Sequence, residues 1–412
     1  MTAAPIREAD PARATLAALR EDLVASPGPV DVPRVARVLR AQGRMVGAAQ
    51  LLRMTARLRD EVTGLGPLQD LARPGVTDIL VNADGSVWVD DAHGLRRTRQ
   101  HLAPVEAREL AVRLATAGGR RLDDASPCAD AHLPDGTRLH AVLPALTGGG
   151  TLISLRRPSA KRFGLAELER AGTLSPLGRR VAQAVIASRS AFVISGGTGT
   201  GKTTLLGAML SAADPSERIV IVEDARELEP DHPHTVHLQA RHANADGAGG
   251  VDLAHLVRQC LRMRPDRVVV GECRGAEVRE LLQALNTGHE GGCGTLHANT
   301  ALDVPARLEA LGALGGLGPE ALASQAASAL DIVLHLSRRG PRRSLTQVGV
   351  LGRDRAGALQ VSLALDLTGP SPVPGPAAER LCARLGLAPA EIGMRADLDA
   401  GGEIGGEIGG AP

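Results

Sequence analysis

One short run of this chain concentrates its chemistry. Gly196-Gly197-Thr198-Gly199-Thr200-Gly201-Lys202-Thr203 has the G-x4-G-K-[ST] spacing of a phosphate-cradling loop, and Thr204 opens a helix-compatible stretch behind it. Glycines let the backbone wrap an anion, successive N–H groups and the helix N-terminus face it, and Lys202 adds a compact positive charge. Thr203 would offer its hydroxyl to Mg²⁺. The 412 residues include only two lysines, Lys161 and Lys202, among 47 basic side chains, so composition does not account for a lysine at this position. Arginine could not replace it, because a planar fork does not do the work of a point charge.

Hydrolysis needs more than a phosphate loop. A carboxylate at the end of a neighbouring strand must organise Mg²⁺ and polarise water. Two strand-like runs end suitably: Ile219-Val220-Ile221-Val222-Glu223-Asp224 and Val268-Val269-Val270-Gly271-Glu272. The second offers Glu272 where an Asp is usual. A strand-terminal acid taken alone is as often a satisfied loop carboxylate; the occurrence of both downstream of the loop makes Glu223 and Glu272 catalytic candidates. Further on, Gly288-His289-Glu290-Gly291-Gly292-Cys293-Gly294-Thr295-Leu296-His297-Ala298-Asn299 carries two histidines. A metal pair is one reading, weakened by the lack of a third ligand at clear spacing. A loop histidine and a core histidine is the plainer one. A neutral imidazole beside a γ-phosphate, able to sense or hydrogen-bond it, is the third.

These residues need a scaffold that brings strand ends together. Ala191–Ile194, Ile219–Val222, Arg267–Val270 and Asp331–Leu334 are β-branched runs alternating with helical segments, which predicts an α/β domain with a mostly parallel sheet over residues 158–340. Residues 1–60 read as a short helical N-terminal segment, broken at Ser26-Pro27-Gly28-Pro29. Residues 61–157 read as an α+β domain: a hairpin about Asn82-Ala83-Asp84-Gly85, a helix from Pro104 to Ala117, and strands near Gly136–Leu143 and Thr151–Leu155. A basic linker spans Arg156 to Phe163. Residues 341–368 suggest a C-terminal hairpin, and 369–412, Pro/Gly-rich with a Gly-Gly-Glu-Ile repeat, a disordered tail.

Composition excludes several classes. Phe 2, Trp 1 and Tyr 0 leave no aromatic platform for stacking a nucleic-acid strand, and a net charge of +1 gives no global positive field. No run of 18 apolar residues is present, so no transmembrane segment is expected, and the N-terminus has no apolar signal core. Five widely spaced cysteines read as reduced thiols, consistent with a cytoplasmic protein.

Taken in order, the phosphate loop, Ile221-Val222-Glu223-Asp224-Ala225-Arg226-Glu227-Leu228, Leu261–Glu272 and the His-rich segment resemble the Walker A, Asp-box, Walker B and His-box set of the type II/type IV secretion ATPase superfamily, nearest its CpaF/TadA-like branch of Flp/Tad pilus-assembly ATPases. Gly64–Leu68, Val76–Asn82 and Asp135–Arg138 extend the resemblance into that branch's N-terminal regulatory domain. The resemblance implies a RecA-like P-loop NTPase domain that hydrolyses ATP with Mg²⁺. Lys202 and Thr203 would hold phosphates and metal, Glu223 would orient water, Glu272 would take the Walker B role at the metal, and His297 would contact the γ-phosphate region. Arg138 and Arg156 stand at positions from which the family's N-terminal domain reaches nucleotide. A cytoplasmic homo-hexamer is implied, peripherally attached at the inner face of the cytoplasmic membrane, with inner-membrane platform proteins as partners and pilus assembly or secretion as output. Domain closure about the linker would be released by hydrolysis. Two departures are expected to matter differently: Asp78 for the usual Glu is mild, whereas Gly292, Cys293 and Gly294 in the His box would loosen that loop. The alternative is an NTP-driven motor for conjugal DNA transfer, because RecA-like helicases share the architecture. A third reading, a nucleotide-binding scaffold without turnover, requires the strand-end acids to be inert.

Overall fold

The computed structural model describes residues 30–62, 64–91, 93–157, 162–241, 243, 248–340 and 342–394, together with Thr15, Ala18, Leu19, Glu21 and Asp22. Lys161 and most of the linker centre, much of the first 29 residues, and the Gly-Gly-Glu-Ile tail lie outside them. The chain divides into two compact units, 1–160 and 161–412.

In the first unit, α1 (Val32–Ala41) starts where the Asp31 side chain accepts from the Arg34 N–H. Its Val35, Val38 and Leu39 bury against Leu19, Val30 and Leu58, the last from α2 (Ala48–Val62). Beyond it, β1 (Asp78–Val81), β2 (Ser86–Asp91), β3 (Gly94–His101), β4 (Cys128–His132), β5 (Arg138–Val142) and β6 (Leu152–Arg156) form an antiparallel sheet in the order β3-β2-β1-β6-β5-β4. The β1–β2 turn closes at Gly85, whose φ of +80° is open to glycine. Period-2 alternation sends Ile79, Val81, Leu139, Ala141, Ile153 and Leu155 to one face. There they share a core with Leu110, Ala111 and Leu114 of α3 (Pro104–Ala117).

The second unit is built on one sheet. β7 (Phe192–Gly196), β8 (Ile219–Glu223), β9 (Thr235–Gln239), β10 (Arg267–Val270), β11 (Cys293–Leu296) and β12 (Ile332–Arg339) are parallel, in the order β12-β7-β11-β10-β8-β9. The strands β13 (Arg342–Arg353), β14 (Leu359–Asp366) and β15 (Val373–Pro374) continue it antiparallel beyond β12. The expected hairpin over 341–368 is therefore part of this sheet. Apolar runs in β7, β8 and β10 are unbroken because both faces are covered. Phe192, Ile194, Ile219 and Ile221 face α4 (Leu165–Arg170), α5 (Pro176–Ala187) and α6 (Lys202–Leu210). Val193, Val220, Val222, Val268 and Val270 face α7 (Leu253–Cys260), α8 (Glu277–Asn286), α9 (Val304–Leu314) and α10 (Pro319–Ala329).

Two expectations need correction. The described part of the supposed disordered tail is folded: α11 (Ala378–Leu385) buries Leu381, Cys382 and Leu385 in the core with Ile392. Ala378, Leu381, Cys382 and Leu385, four apolar residues at helical spacing, outweigh the flanking Gly and Pro. Second, Gly292, Cys293 and Gly294 do not loosen a loop; Cys293 and Gly294 lie in β11, whose residues are all buried. A Cβ on Gly292 would run into Leu285 and come within 2.8 Å of Val268 O, and one on Gly294 would stand 3.0 Å from Val270 O. The glycines permit close approach to β10.

β10 opens on a buried cation. Arg267 is 1% exposed and gives Nε to Glu217 Oε2, Nη1 to Gly291 O at 3.1 Å and Nη2 to Ile186 O at 2.9 Å. Arg189 Nη1 donates to Glu217 Oε1 at 2.7 Å. Arg267→Ala strips the buried carboxylate of one of its two cations and frees two carbonyls. A stability loss of about 3 kcal/mol is expected, read as an earlier urea midpoint for the second unit. An unmoved midpoint would show that the network contributes nothing net.

Candidate active site

The parallel order β7-β11-β10-β8 sets four carboxyl ends side by side, the edge at which open α/β sheets bind ligands. From those ends come the phosphate loop, His297, Glu272 and Glu223. The loop turns immediately after β7. A Cβ on Gly196 would collide with Leu336 O and lie 2.7 Å from Thr200 Oγ1, so the space admits only glycine. Gly199 (φ +71°) and Gly201 (φ +94°) take left-handed conformations, the latter directly ahead of α6. Thr200 Oγ1 donates to Gly197 O at 2.9 Å and braces the loop. Gly197, Thr198 and Gly199 are exposed, Thr203 is half-buried, and Thr204 is exposed on the first turn of α6.

Lys202 is buried beneath the loop. Its ammonium donates to Gly196 O and Gly197 O, both at 3.0 Å, and stands 3.4 and 3.5 Å from the two ring nitrogens of His297. Burial pulls its pKa below the ordinary lysine value; attraction to Glu272 opposes this and repulsion from Arg274 adds to it.

Glu272 holds a junction. Its Oε2 accepts from Arg274 Nη2 at 2.7 Å, and its Oε1 lies 2.8 Å from His297 Nε2. That second contact has the separation of an ion pair without the alignment of a hydrogen bond, and Oε1 is buried with no aligned hydrogen-bond donor among the described residues. Burial raises the carboxyl pKa, but the Arg274 hydrogen bond and charge, with His297 and Lys202, outweigh it and hold the group below its usual range. Burial first and Lys202 second lower the His297 pKa; Glu272 pulls the other way, and the net lowering favours the neutral ring. A donor-free buried carboxylate oxygen beside an ammonium and an imidazole is what a hard cation with its waters satisfies. The chemistry of that oxygen therefore fits a hard cation such as Mg²⁺ at Glu272.

Glu223 occupies a different environment. It is 5% exposed, and its Oε1 accepts from the backbone N–H groups of Glu227 (3.1 Å) and Leu228 (3.0 Å). One oxygen thus anchors the loop that follows β8. Gly271 makes room for this: a Cβ there would meet Glu223 Cγ at 2.6 Å. His289 stays apart from the junction, its Nδ1 set against Ala284 O near the end of α8 at 3.1 Å. No cluster of three or more potential metal ligands from His, Cys, Asp and Glu occurs among the described residues. Arg274 escaped sequence reasoning because arginine is so common in this chain; its place two residues after Glu272 was the available signal.

Arg138 and Arg156 lie in the first unit. They are directly paired across β5 and β6, and Asp78 on β1 faces Arg156 from the other side.

A family model described as type II/IV secretion system protein matches residues 61–348. A Mycobacterium tuberculosis protein named for conjugal transfer is 53% identical over 327 residues, covering 77% of this chain and 92% of that one. The conjugal transfer protein TrbB of Rhizobium radiobacter is 32% identical over 278 residues, 66% of this chain and 83% of its own. The type IV secretion system protein PtlH of Bordetella pertussis is 34% identical over 256 residues, covering 56% and 75%. Among solved structures, the pilus retraction motor PilT with bound ADP aligns with a TM-score of 0.50 at 20% identity, over 78% of this chain and 85% of that one, which speaks to the shared fold alone. No helix among the described residues is long and apolar enough to cross a membrane. With the match spanning both units and all four motifs, this chain belongs to the type II/IV secretion system protein family.

Proposed function

We propose that this chain is an Mg²⁺-dependent ATPase, RecA-like in its second unit, that works as a hexameric motor on a membrane-embedded secretion or conjugal-transfer apparatus. The observation that carries the chemistry is the junction of Lys202, His297 and Glu272 under the phosphate loop. The loop N–H groups and Lys202 bind the β- and γ-phosphates. Thr203 and Glu272 would hold Mg²⁺, whose charge would neutralise that of the phosphate oxygens. Glu272 orients water, and His297, kept neutral, faces the γ-phosphate. Glu223 fixes the loop after β8 while its second oxygen stays available to a water. Arg138 and Arg156 are assigned to the phosphates as a paired cationic clamp, from the same subunit or a neighbouring one. Cytoplasmic placement at the inner membrane face and an inner-membrane platform partner follow from the family reading.

The names of the Mycobacterium tuberculosis and Rhizobium radiobacter relatives support conjugal transfer as the process served, alongside the type IV secretion named for the Bordetella pertussis protein. A pilus-assembly role of the Flp/Tad kind rests on the motif resemblance. Light scattering of the purified chain with Mg²⁺ and ATP tests the assembly: six chains are expected, and a persistent monomer overturns the motor reading while leaving the nucleotide site intact.

A further inference from the structure

The turn between β12 and β13 brings a second cationic feature to the phosphate loop. β12 runs beside β7 with Leu336 opposite Gly196, then continues past the end of β7 as Ser337, Arg338 and Arg339. The returning strand pairs Arg338 with Arg343 and Arg339 with Arg342. Strand alternation puts those two pairs on opposite faces. Arg338 and Arg343 share the face of Leu336 and Leu345, whose side chains sit in the core with α6. They flank the loop itself: a Cβ on Gly199 would lie 3.3 Å from Arg338 Nη1, and one on Gly201 would lie 3.6 Å from Arg343 Cδ. Both are exposed, and neither forms an ion pair among the described residues. Arg338 Nε donates to Gly340 O at 2.9 Å, which ties its guanidinium plane to the turn.

Two opposed like charges cost stability, so a ligand contact is the natural compensation. The phosphates of a nucleotide already have the loop N–H groups and Lys202. Its base has no aromatic partner in this unit. The chain holds no tyrosine and two phenylalanines; Phe192 is wholly buried in β7, and Phe163 packs against the core. A guanidinium plane can take the place of a ring, stacking on a base face.

We propose that Arg338 and Arg343 form the platform on which the base of the bound nucleoside triphosphate stacks. This rests on the phosphate loop being the nucleotide site, so the test uses two probes on the full chain with Mg²⁺: ATP, and inorganic tripolyphosphate, which has no base. Arg338→Ala and Arg343→Ala are each expected to weaken ATP by about tenfold and leave tripolyphosphate within about twofold. Arg338→Lys and Arg343→Lys should lose ATP to the same degree, because an ammonium has no plane. Equal loss of both probes with rescue by lysine would assign the arginines to phosphate and overturn the platform, as would unchanged ATP affinity. A wild-type chain that binds neither probe overturns the phosphate-loop reading itself, a failure distinct from that of the arginines.

Discussion

Lys202→Ala is expected to lower ATP turnover by about three orders of magnitude. The ammonium is placed inside the loop, donating to Gly196 O and Gly197 O and standing beside His297. Burial leaves it poorly hydrated, so little solvation is lost when it turns toward phosphate. Its effect grows as charge shifts onto the γ-phosphate oxygens, so turnover should fall further than ATP affinity. Lys202→Arg should not rescue, because the fork needs more room than the space beneath the loop gives and cannot focus its charge at one point. Phosphate release at saturating ATP measures this, with thermal unfolding as the control for a folded variant. Retention of wild-type turnover by Lys202→Ala would remove the phosphate loop from the mechanism.

The sequence was most informative where one residue type had no alternative. The phosphate loop was legible because its glycines and lysine are demanded by sterics and charge, and Gly196 shows the demand at the level of atoms. The strands around Ile194, Val222, Val269 and Leu334 were legible because burial on both faces leaves unbroken β-branched runs. By contrast, β11 hides inside a glycine-rich segment: its signal is close approach to β10, a property of two strands rather than of one string. The helix α11 hides among Pro and Gly, since four apolar residues specify it only when a core is there to receive them. Arginine roles were least legible. Arg267, Arg274, Arg338 and Arg343 are one residue type, yet one is a buried structural cation, one orients Glu272 and two flank the loop. Position alone separates them. The near-absence of aromatic rings speaks against strand stacking; with Phe192 and Phe163 committed to the core, it bears equally on how a single base is held.

Glu272→Gln should abolish steady-state turnover by about 10²–10³-fold while ATP still binds. The side chain keeps its size and one carbonyl oxygen, so the contact to Arg274 can persist in weaker form. What disappears is the negative charge that Lys202, His297 and Arg274 all face. Binding depends on the loop and Lys202, which the change leaves in place, and the ammonium gains freedom once its carboxylate neighbour is neutral. The predicted signature is therefore a collapse in kcat with nucleotide affinity equal to or tighter than wild type. Glu223→Gln provides the contrast. Its Oε1 acts by accepting two backbone N–H groups, and a glutamine oxygen can accept both. If Glu223 serves only as that anchor, the amide variant stays active and Glu223→Ala, which releases the loop, does not. If its second oxygen orients water, the amide loses activity as Glu272→Gln does. Phosphate release and nucleotide affinity measured on the three variants separate these cases. Full turnover in Glu272→Gln would transfer the hydrolytic role to Glu223, the other acid at the carboxyl edge of the sheet.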